Sequence, residues 1–245
     1  MEVTLPGAVA MTRLKVYDSA TPDGQRGGTP HIHLVSTELY YVLAGRGAVE
    51  MIDGSGFSRV DIPPFSALAF APGTIHRLIN LDGALEILVL MQNSGLPERG
   101  DSVACFDEAF LATDAAFADA MRVETLEEAY RRRDRGVEGF NRLKAVFADD
   151  PEQGRAALRR FYVLAAERRA SLFSGWDSVI EAGAGAAVRD SLTRLDALKR
   201  GDTGALMQAQ HQLVPAGDPR QLGFCGHLHR YVDSSVFTPE GLRTS

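Results

Sequence analysis

Cysteine and basic charge are both scarce in this sequence, and each shortage removes a class of protein. Cys105 and Cys225 are the only two cysteines and lie far apart, so the sequence predicts neither a disulfide framework nor a cysteine-based zinc site. Acidic residues outnumber basic ones by 32 to 26, which gives a formal net charge of −6. Because nucleic-acid binding requires a basic face that neutralises phosphates, we expect no nucleic-acid partner.

Long apolar runs are also missing. No stretch of about 18 consecutive apolar residues occurs, so we expect no membrane-spanning helix and no membrane partner. The first seven residues lack a basic start followed by an apolar run, so we expect no secretory signal. Together with the two isolated cysteines, these absences predict a cytoplasmic protein. With 45% hydrophobic residues, the 245-residue chain can form one large domain or two small ones.

The first hundred residues consist of short extended segments separated by turn residues. Polar and apolar residues alternate over 12–17, which predicts a first strand. Further strands are predicted at 31–35, 38–44, 47–52, 57–62, 66–70, 76–80 and 85–91. Short strands at this density, with Gly-, Pro- and Asp-rich turns between them, indicate an antiparallel sandwich or barrel.

The character of the sequence changes to helical over residues 113–214. Thr125 followed by Glu128 is typical of a capping box, and Asp150 followed by Pro151 is typical of a capped helix start. Apolar residues recur at helical spacing in several stripes. The stripe residues include Leu158, Phe161, Ala165, Val188, Leu192, Leu195, Leu198, Leu206, Met207 and Leu213. These stripes require burial against each other, against the β domain or against a second subunit, and we expect a homodimer.

These patterns predict an α+β protein in three parts. Residues 1–110 form a β-barrel domain, residues 111–215 form an α-helical region, and residues 216–245 form a C-terminal strand or tail. The role of the helical region stays open between a lid, an oligomer contact and an independent domain.

Four metal-capable side chains lie in two informative motifs. His31 and His33 are two residues apart, so both imidazoles leave the same face of a strand, and Glu38 follows on the next β segment. A Pro-Gly turn then delivers His76 onto a short strand. We therefore predict that these four residues bind one divalent metal ion. Alternation places Tyr40 on the same face as Glu38, either behind the ligands or as a ring that fills the barrel interior.

The two motifs resemble those of the cupins. The first cupin motif, G-x5-H-x-H-x3,4-E-x6-G, is matched by His31, His33, Glu38 and Gly45, and the second, G-x5-P-x-G-x2-H-x3-N, by Gly73, His76 and Asn80. Gln25 and Phe65 replace the two opening glycines, and Pro72 directly precedes Gly73. These replaced positions shape turns and do not bind metal. The resemblance covers roughly residues 10–95 and implies an antiparallel jelly-roll barrel.

Cupins with these motifs include dioxygenases, sugar isomerases and epimerases, decarboxylases and non-catalytic binding proteins. The resemblance implies a mononuclear metal-dependent enzyme that acts on a small oxygenated molecule, with Fe, Mn, Ni, Co and Zn all compatible with the ligands. We place dioxygenase chemistry ahead of an isomerase because the motifs contain no additional acid and base pair. A binding or sensing module without catalysis is the alternative from a different class.

Three other segments carry weaker expectations. The basic run at 131–135 is interrupted by Asp134 and predicts a solvated helix face rather than a phosphate site. The glycine-containing segment at 183–185 predicts a flexible joint between helices. His227 and His229 repeat the His-x-His spacing without a following Glu, and predict a strand that returns to the barrel rather than a second metal site.

Overall fold

The computed structural model describes residues 5–211, 213–215, 217 and 221–231, and its β part contains eleven strands in that range. The strands are β1 (Ala10–Val16), β2 (His31–His33), β3 (Glu38–Ala44), β4 (Gly47–Asp53), β5 (Gly56–Ile62), β6 (Ala67–Phe70), β7 (Ile75–Asn80), β8 (Glu86–Met91), β9 (Ser102–Ala104), β10 (Gln221–Leu222) and β11 (Gly226–Arg230).

The strands form two antiparallel sheets. The first sheet has the order β10-β11-β1-β8-β3-β6, and the second has the order β5-β4-β7-β2-β9. The predicted antiparallel β class is therefore confirmed. Because the two sheets are separate hydrogen-bonded units within the described residues, closure into a jelly-roll barrel stays a prediction.

Side chains from both sheets meet in an apolar core. Along β3, Glu38, Tyr40 and Val42 are buried while Leu39 and Tyr41 are less so, as alternation predicts. The buried members of this core are Leu14, Val16, Tyr40, Val42, Val49, Ile62, Phe70, Leu78, Leu85, Ile87, Val89 and Cys225. One rim of this inter-sheet space carries the polar cluster described below.

Six α-helices of the described chain lie between β9 and β10. They are α1 (Glu108–Leu111), α2 (Asp114–Met121), α3 (Leu126–Asp149), α4 (Pro151–Arg169), α5 (Phe173–Ile180) and α6 (Ala186–Lys199). The capping box of Thr125 and Glu128 begins α3, and Asp150 caps α4, as the sequence predicts. The flexible joint predicted at 183–185 is wrong, because a π-helical turn, Glu181–Gly185, joins α5 to α6 without a break.

Helices α1 to α4 pack on the outer face of the second sheet and share a core with it. Ile32, Ile52, Ile75, Val103 and Ala104 come from the sheet side. The helices contribute Leu111, Phe117, Ala120, Phe140, Leu143, Phe147, Leu158, Phe161 and Ala165. Gly139 of α3 allows this close approach, since a Cβ atom there would collide with the backbone of Cys105 and Phe106. The helical layer therefore stabilises the sheet that carries all three motif histidines.

The solvated face predicted for residues 131–135 is wrong for two of its arginines. Arg132 and Arg133 of α3 are 7% and 1% exposed. Arg133 pairs with Asp134 and donates to the Ala20 carbonyl at 2.9 Å. The run therefore has both buried and exposed arginines, because α3 lies between the β domain and solvent.

The C-terminal segment returns to the first sheet. β11 pairs antiparallel with β1, and His229 lies opposite Arg13 in this register. In place of the helix suggested by Leu206 and Leu213, the described residues hold only a 3₁₀ turn, Gly204–Gln208. Within the part of the chain that the structure describes, no helix is long and apolar enough to cross a membrane.

Candidate metal centre

The four motif residues come together at one rim between the sheets. His31 of β2 lies directly opposite His76 of β7, and His33 follows two residues later on the same face. Glu38 begins β3 in the other sheet. One ligand atom from each of the four lies within 4.8 Å of the others, and all four residues are buried. The structure thus brings together every residue that the sequence singled out as a metal ligand.

The turns that deliver these residues keep the backbone geometry that the motif glycines provide. Gly45 and Gly73 have φ of 76° and 86°, values that favour glycine. Phe65, which replaces a motif glycine, adopts the same left-handed region with φ of 65° and is 75% exposed. The Gly73 turn is also held from the helical layer, because Tyr162 donates to its carbonyl at 2.8 Å.

Each imidazole is fixed on its Nδ1 side by an outer partner. His31 Nδ1 lies 2.9 Å from the Thr29 carbonyl, and His76 Nδ1 lies 3.0 Å from the Thr74 carbonyl. His33 Nδ1 lies 3.3 Å from Asp101 Oδ2. Since a carbonyl or carboxylate oxygen accepts a hydrogen bond from Nδ1–H, these partners favour the tautomer that leaves the Nε2 lone pair free.

The inward-facing atoms lack partners of their own. Within the described chain, His33 Nε2, His76 Nε2 and Glu38 Oε2 are buried and accept or donate no hydrogen bond. His33 Nε2 and His76 Nε2 lie 3.5 and 3.1 Å from Glu38 Oε2. Buried polar atoms without partners are costly, and a divalent cation between them would remove that cost. The donor set therefore fits a metal ion.

The protonation of the histidines differs with their surroundings. Burial and the neighbouring His76 and His33 hold the pKa of His31 well below its ordinary value, so this ring is neutral. Burial also opposes the charged form of His33, but the carboxylates of Glu38 and Asp101 outweigh it and raise the pKa of His33. A proton therefore competes with a metal ion for the Nε2 atom of His33.

Asp101 is a functional residue that sequence reasoning missed. It is fully buried, and besides His33 it accepts hydrogen bonds from the backbone N–H of Val35 at 2.8 Å and of Ser36 at 3.3 Å. It therefore fixes both a candidate ligand and the turn after β2. Its sequence context, a stretch with Gly95, Pro97 and Gly100, is typical of a linker or an ordered loop and gives no signal of this contact.

A cavity of about 210 Å³ opens beside the cluster. Tyr40 lies where alternation predicts, in the cavity wall, and burial and the charge of Glu38 raise its pKa. Phe224 covers the other side and stacks on His31 with ring centroids 4.6 Å apart. The lining also includes Thr12, Met91, Glu98, Ser102, Arg132, Cys225, Leu228 and Arg230. A larger adjacent cavity of about 610 Å³ shares Glu98, Ser102 and Phe224 with it.

The second His-x-His pair does not form another centre among the described residues. His227 and His229 lie on β11, and the one group of three or more His, Cys, Asp or Glu residues suited to metal there is the cluster above. Asn80, the last residue of the second motif, is buried and accepts from Leu85 N–H at 3.2 Å. It supports a strand end rather than the cavity.

Comparisons with known proteins find similarity in one segment of the β part. The family model described as a cupin domain matches residues 20–91. No curated protein matches the sequence significantly.

Solved structures show similarity to part of the chain. PAC13 from Streptomyces, solved with uridine, is 16% identical over 36% of this chain and 62% of its own, with a TM-score of 0.28. WlaRA, a TDP-fucose-3,4-ketoisomerase from Campylobacter jejuni, is 16% identical over 34% and 58%, with a TM-score of 0.28. Oxalate decarboxylase from Bacillus subtilis is 18% identical over 34% and 21%, with a TM-score of 0.28. The matched region spans less than two thirds of each of these proteins. The family model thus identifies a cupin domain at residues 20–91.

Proposed function

We propose that the chain is a mononuclear metal-dependent enzyme that acts on a small oxygenated molecule, with chemistry of the dioxygenase type. The observation that carries this proposal is the convergence of His31, His33, Glu38 and His76 beside a cavity, with their ligand atoms within 4.8 Å of one another. A structural metal site is closed by protein ligands, whereas a catalytic site adjoins open space.

Three imidazoles and one carboxylate would hold one divalent ion, and Fe, Mn, Ni, Co and Zn all accept these donors. When bound, such an ion supplies a Lewis acid for a substrate oxygen and, if it is iron, redox chemistry. The chain's own residues orient this site. The carbonyls of Thr29 and Thr74 and the carboxylate of Asp101 fix the three rings, and Phe224 stacks on the ring of His31.

The ionisable groups in the cavity favour a dioxygenase over an isomerase. Glu98 pairs with Arg230 at 3.3 Å, so this carboxylate is engaged. Burial raises the pKa of Tyr40 and raises that of Cys225 to about 12, so both remain protonated at neutral pH. Apart from the candidate ligands, the described cavity wall therefore offers no free general base, which a proton-shuttling isomerase needs. Tyr40 can act as a neutral hydrogen-bond donor to a substrate.

We also propose how the three parts of the chain are arranged. The two antiparallel sheets would be the halves of a jelly-roll barrel within residues 1–110, with 111–215 as a helical cover and 216–245 as a C-terminal strand or tail. A homodimer would cover the exposed apolar stripe of α6, where Val188, Leu192 and Leu195 are 59%, 56% and 48% exposed. Sedimentation velocity tests the dimer, since a monomer at all concentrations contradicts it.

The test of the function begins with metal analysis of anaerobically purified protein, followed by exposure to O₂ with a panel of enols, thiols and catechols. Iron near one ion per chain and oxygen uptake with a panel member are the expected results. Zinc or manganese in the sample, without oxygen uptake, would contradict the dioxygenase proposal and favour isomerase or decarboxylase chemistry. Purified protein that neither contains nor takes up a metal would leave a binding module as the better description.

A further inference from the structure

We infer that the molecule bound in this cavity carries a carboxylate group and that Arg132 of the helical region binds it. This inference rests on the proposed function for the role of the metal cluster, and it names the class of substrate. It also assigns a recognition role to a residue outside the cupin domain, which ends well before α3.

Arg132 reaches the cavity from α3. It lines the cavity wall and is 7% exposed. Its guanidinium lies over the Phe224 ring, with Cζ 4.3 Å from the ring centroid, and Nη2 donates to the Gly223 carbonyl at 2.7 Å. Nε has no hydrogen-bond partner, and no carboxylate of the described chain lies within ion-pair distance of the group. A planar donor set therefore remains incompletely paired in a buried position.

The other fully buried arginines of the described chain are neutralised. Arg77 pairs with Asp23 at 2.6 Å, and Arg133 pairs with Asp134 at 2.8 Å. A buried charge without a partner is destabilising, and an anion bound beside it would remove that cost. In contrast to Arg77 and Arg133, Arg132 is a buried arginine of this cavity wall without a carboxylate partner among the described residues.

The charged groups around the cavity leave one positive charge, that of Arg132, without a negative counterpart. A divalent ion is balanced by Glu38 and by Asp101, which contacts His33. Glu98 and Arg230 cancel each other, and Tyr40 and Cys225 are neutral. Arg132 is then the one uncompensated charge among the described residues of the wall.

A carboxylate fits this position better than a phosphate. The guanidinium fork matches the two oxygens of a carboxylate, and a monoanion is enough to balance one arginine. The cavity of about 210 Å³ is smaller than the usual pockets for drug-sized ligands, which suits a small acid. The ligand would place its carboxylate at Arg132 and another oxygen toward the metal cluster.

The experiment measures binding by calorimetry on the full-length protein, with and without added metal. The probes are lactate and malonate, their neutral amides lactamide and malonamide, and inorganic phosphate. We expect lactate or malonate to bind more tightly than its amide. We expect Arg132→Gln to weaken carboxylate binding at least about tenfold while amide binding and metal content stay unchanged. Arg132→Lys should retain part of the affinity, because it keeps the charge but loses the fork.

Arg131→Gln is the matched control, since Arg131 is the preceding residue of α3 and its side chain is 52% exposed. It should bind both carboxylates as the wild type does. Equal weakening of acid and amide by Arg132→Gln would assign Arg132 a purely structural role over Phe224 and overturn the inference, as would tighter binding of phosphate or no carboxylate binding at millimolar concentration. Carboxylate binding to a protein that takes up no metal would contradict the proposed function alone.

Discussion

At the scale of single residues, the centre depends on how firmly each imidazole is held. Two rings are held by backbone carbonyls, which substitution of a side chain cannot remove. His33 is held by the side chain of Asp101, which makes this contact the one accessible to mutation. Outer partners of this kind set both the tautomer and the basicity of a ligand.

We predict that Asp101→Asn lowers metal affinity by about 10- to 100-fold. The amide oxygen can still accept from Val35 N–H, but the side chain no longer carries the charge that stabilises the donating His33 ring. Competition titration with a metal indicator measures the change. Glu108→Gln is the control, because Glu108 is an exposed carboxylate of α1 that pairs with Arg160, and its metal affinity should stay within about twofold of wild type. Equal affinities of the two variants would contradict the assigned role of Asp101.

The candidate metal ligands could be predicted from the sequence, but the residues that contact the ligands and the cavity from distant segments could not. His31, His33 and Glu38 lie in one short motif, and the period of a strand fixes their common face. Asp101 and Arg132 reach the site from segments that are 68 and 99 residues beyond His33 in the printed numbering. No local pattern determines such an approach, because it depends on how the β9 loop and α3 pack against the sheet.

At the scale of elements, a network of charges connects the loop before β2 to the second sheet. Arg77 of β7 is fully buried between Asp23 at 2.6 Å and Glu50 at 3.6 Å. Arg59 of β5 approaches Glu50 at 3.2 Å, and Asn141 of α3 donates to Asp23 at 3.1 Å. Strand alternation puts Arg77 on the face opposite His76, and its burial follows from the helix that covers that face.

We predict that Asp23→Asn lowers the free energy of unfolding by about 1–2 kcal/mol at pH 7, since Glu50 remains as a partner for Arg77. Partial burial would raise the pKa of Asp23, but hydrogen bonds from Arg77, Thr21 and Asn141 outweigh it and hold the pKa far below 3.8. A carboxylate with a depressed pKa contributes stability above its unfolded pKa and loses it as pH falls through the folded value.

Urea unfolding at several pH values measures this contribution. The difference between wild type and Asp23→Asn should be constant from pH 7 to about 5 and shrink below pH 3.8. Asp190→Asn, at an exposed position of α6, should change stability by less than about 0.5 kcal/mol at every pH. A difference that grows on acidification would contradict the assigned ion pair.

At the scale of the whole molecule, the helices and the second sheet form one apolar core. The close contact of α3 with the segment after β9 depends on Gly139, where a methyl group would meet the backbone of Cys105 and Phe106. Hydrophobic spacing predicted that helical stripes must be buried, but it could not choose among the possible partners. The packing partner depends on the shapes of the surfaces that meet. The sequence shows a glycine within α3, but the reason for it is visible only when the packed neighbour is known.

We predict that Gly139→Ala destabilises the protein by more than about 1 kcal/mol, although alanine is the better helix former. The matched control is Gly175→Ala in α5, where nothing lies within 4 Å of the added Cβ atom. That variant should gain about 0.5–1 kcal/mol from helix propensity. Thermal or urea unfolding of both variants distinguishes the two effects, and a stabilising Gly139→Ala would contradict the packing of α3 on the sheet.

The most direct test of the metal centre is elemental analysis of wild type and His76→Ala purified in parallel. His76 comes from the second motif, and its Nε2 is a buried atom without a hydrogen-bond partner within the described chain. We predict close to one ion per chain in the wild type and at least about tenfold less in the variant, with cooperative unfolding retained. Equal metal content in the two proteins would contradict the four-ligand centre on which this account depends.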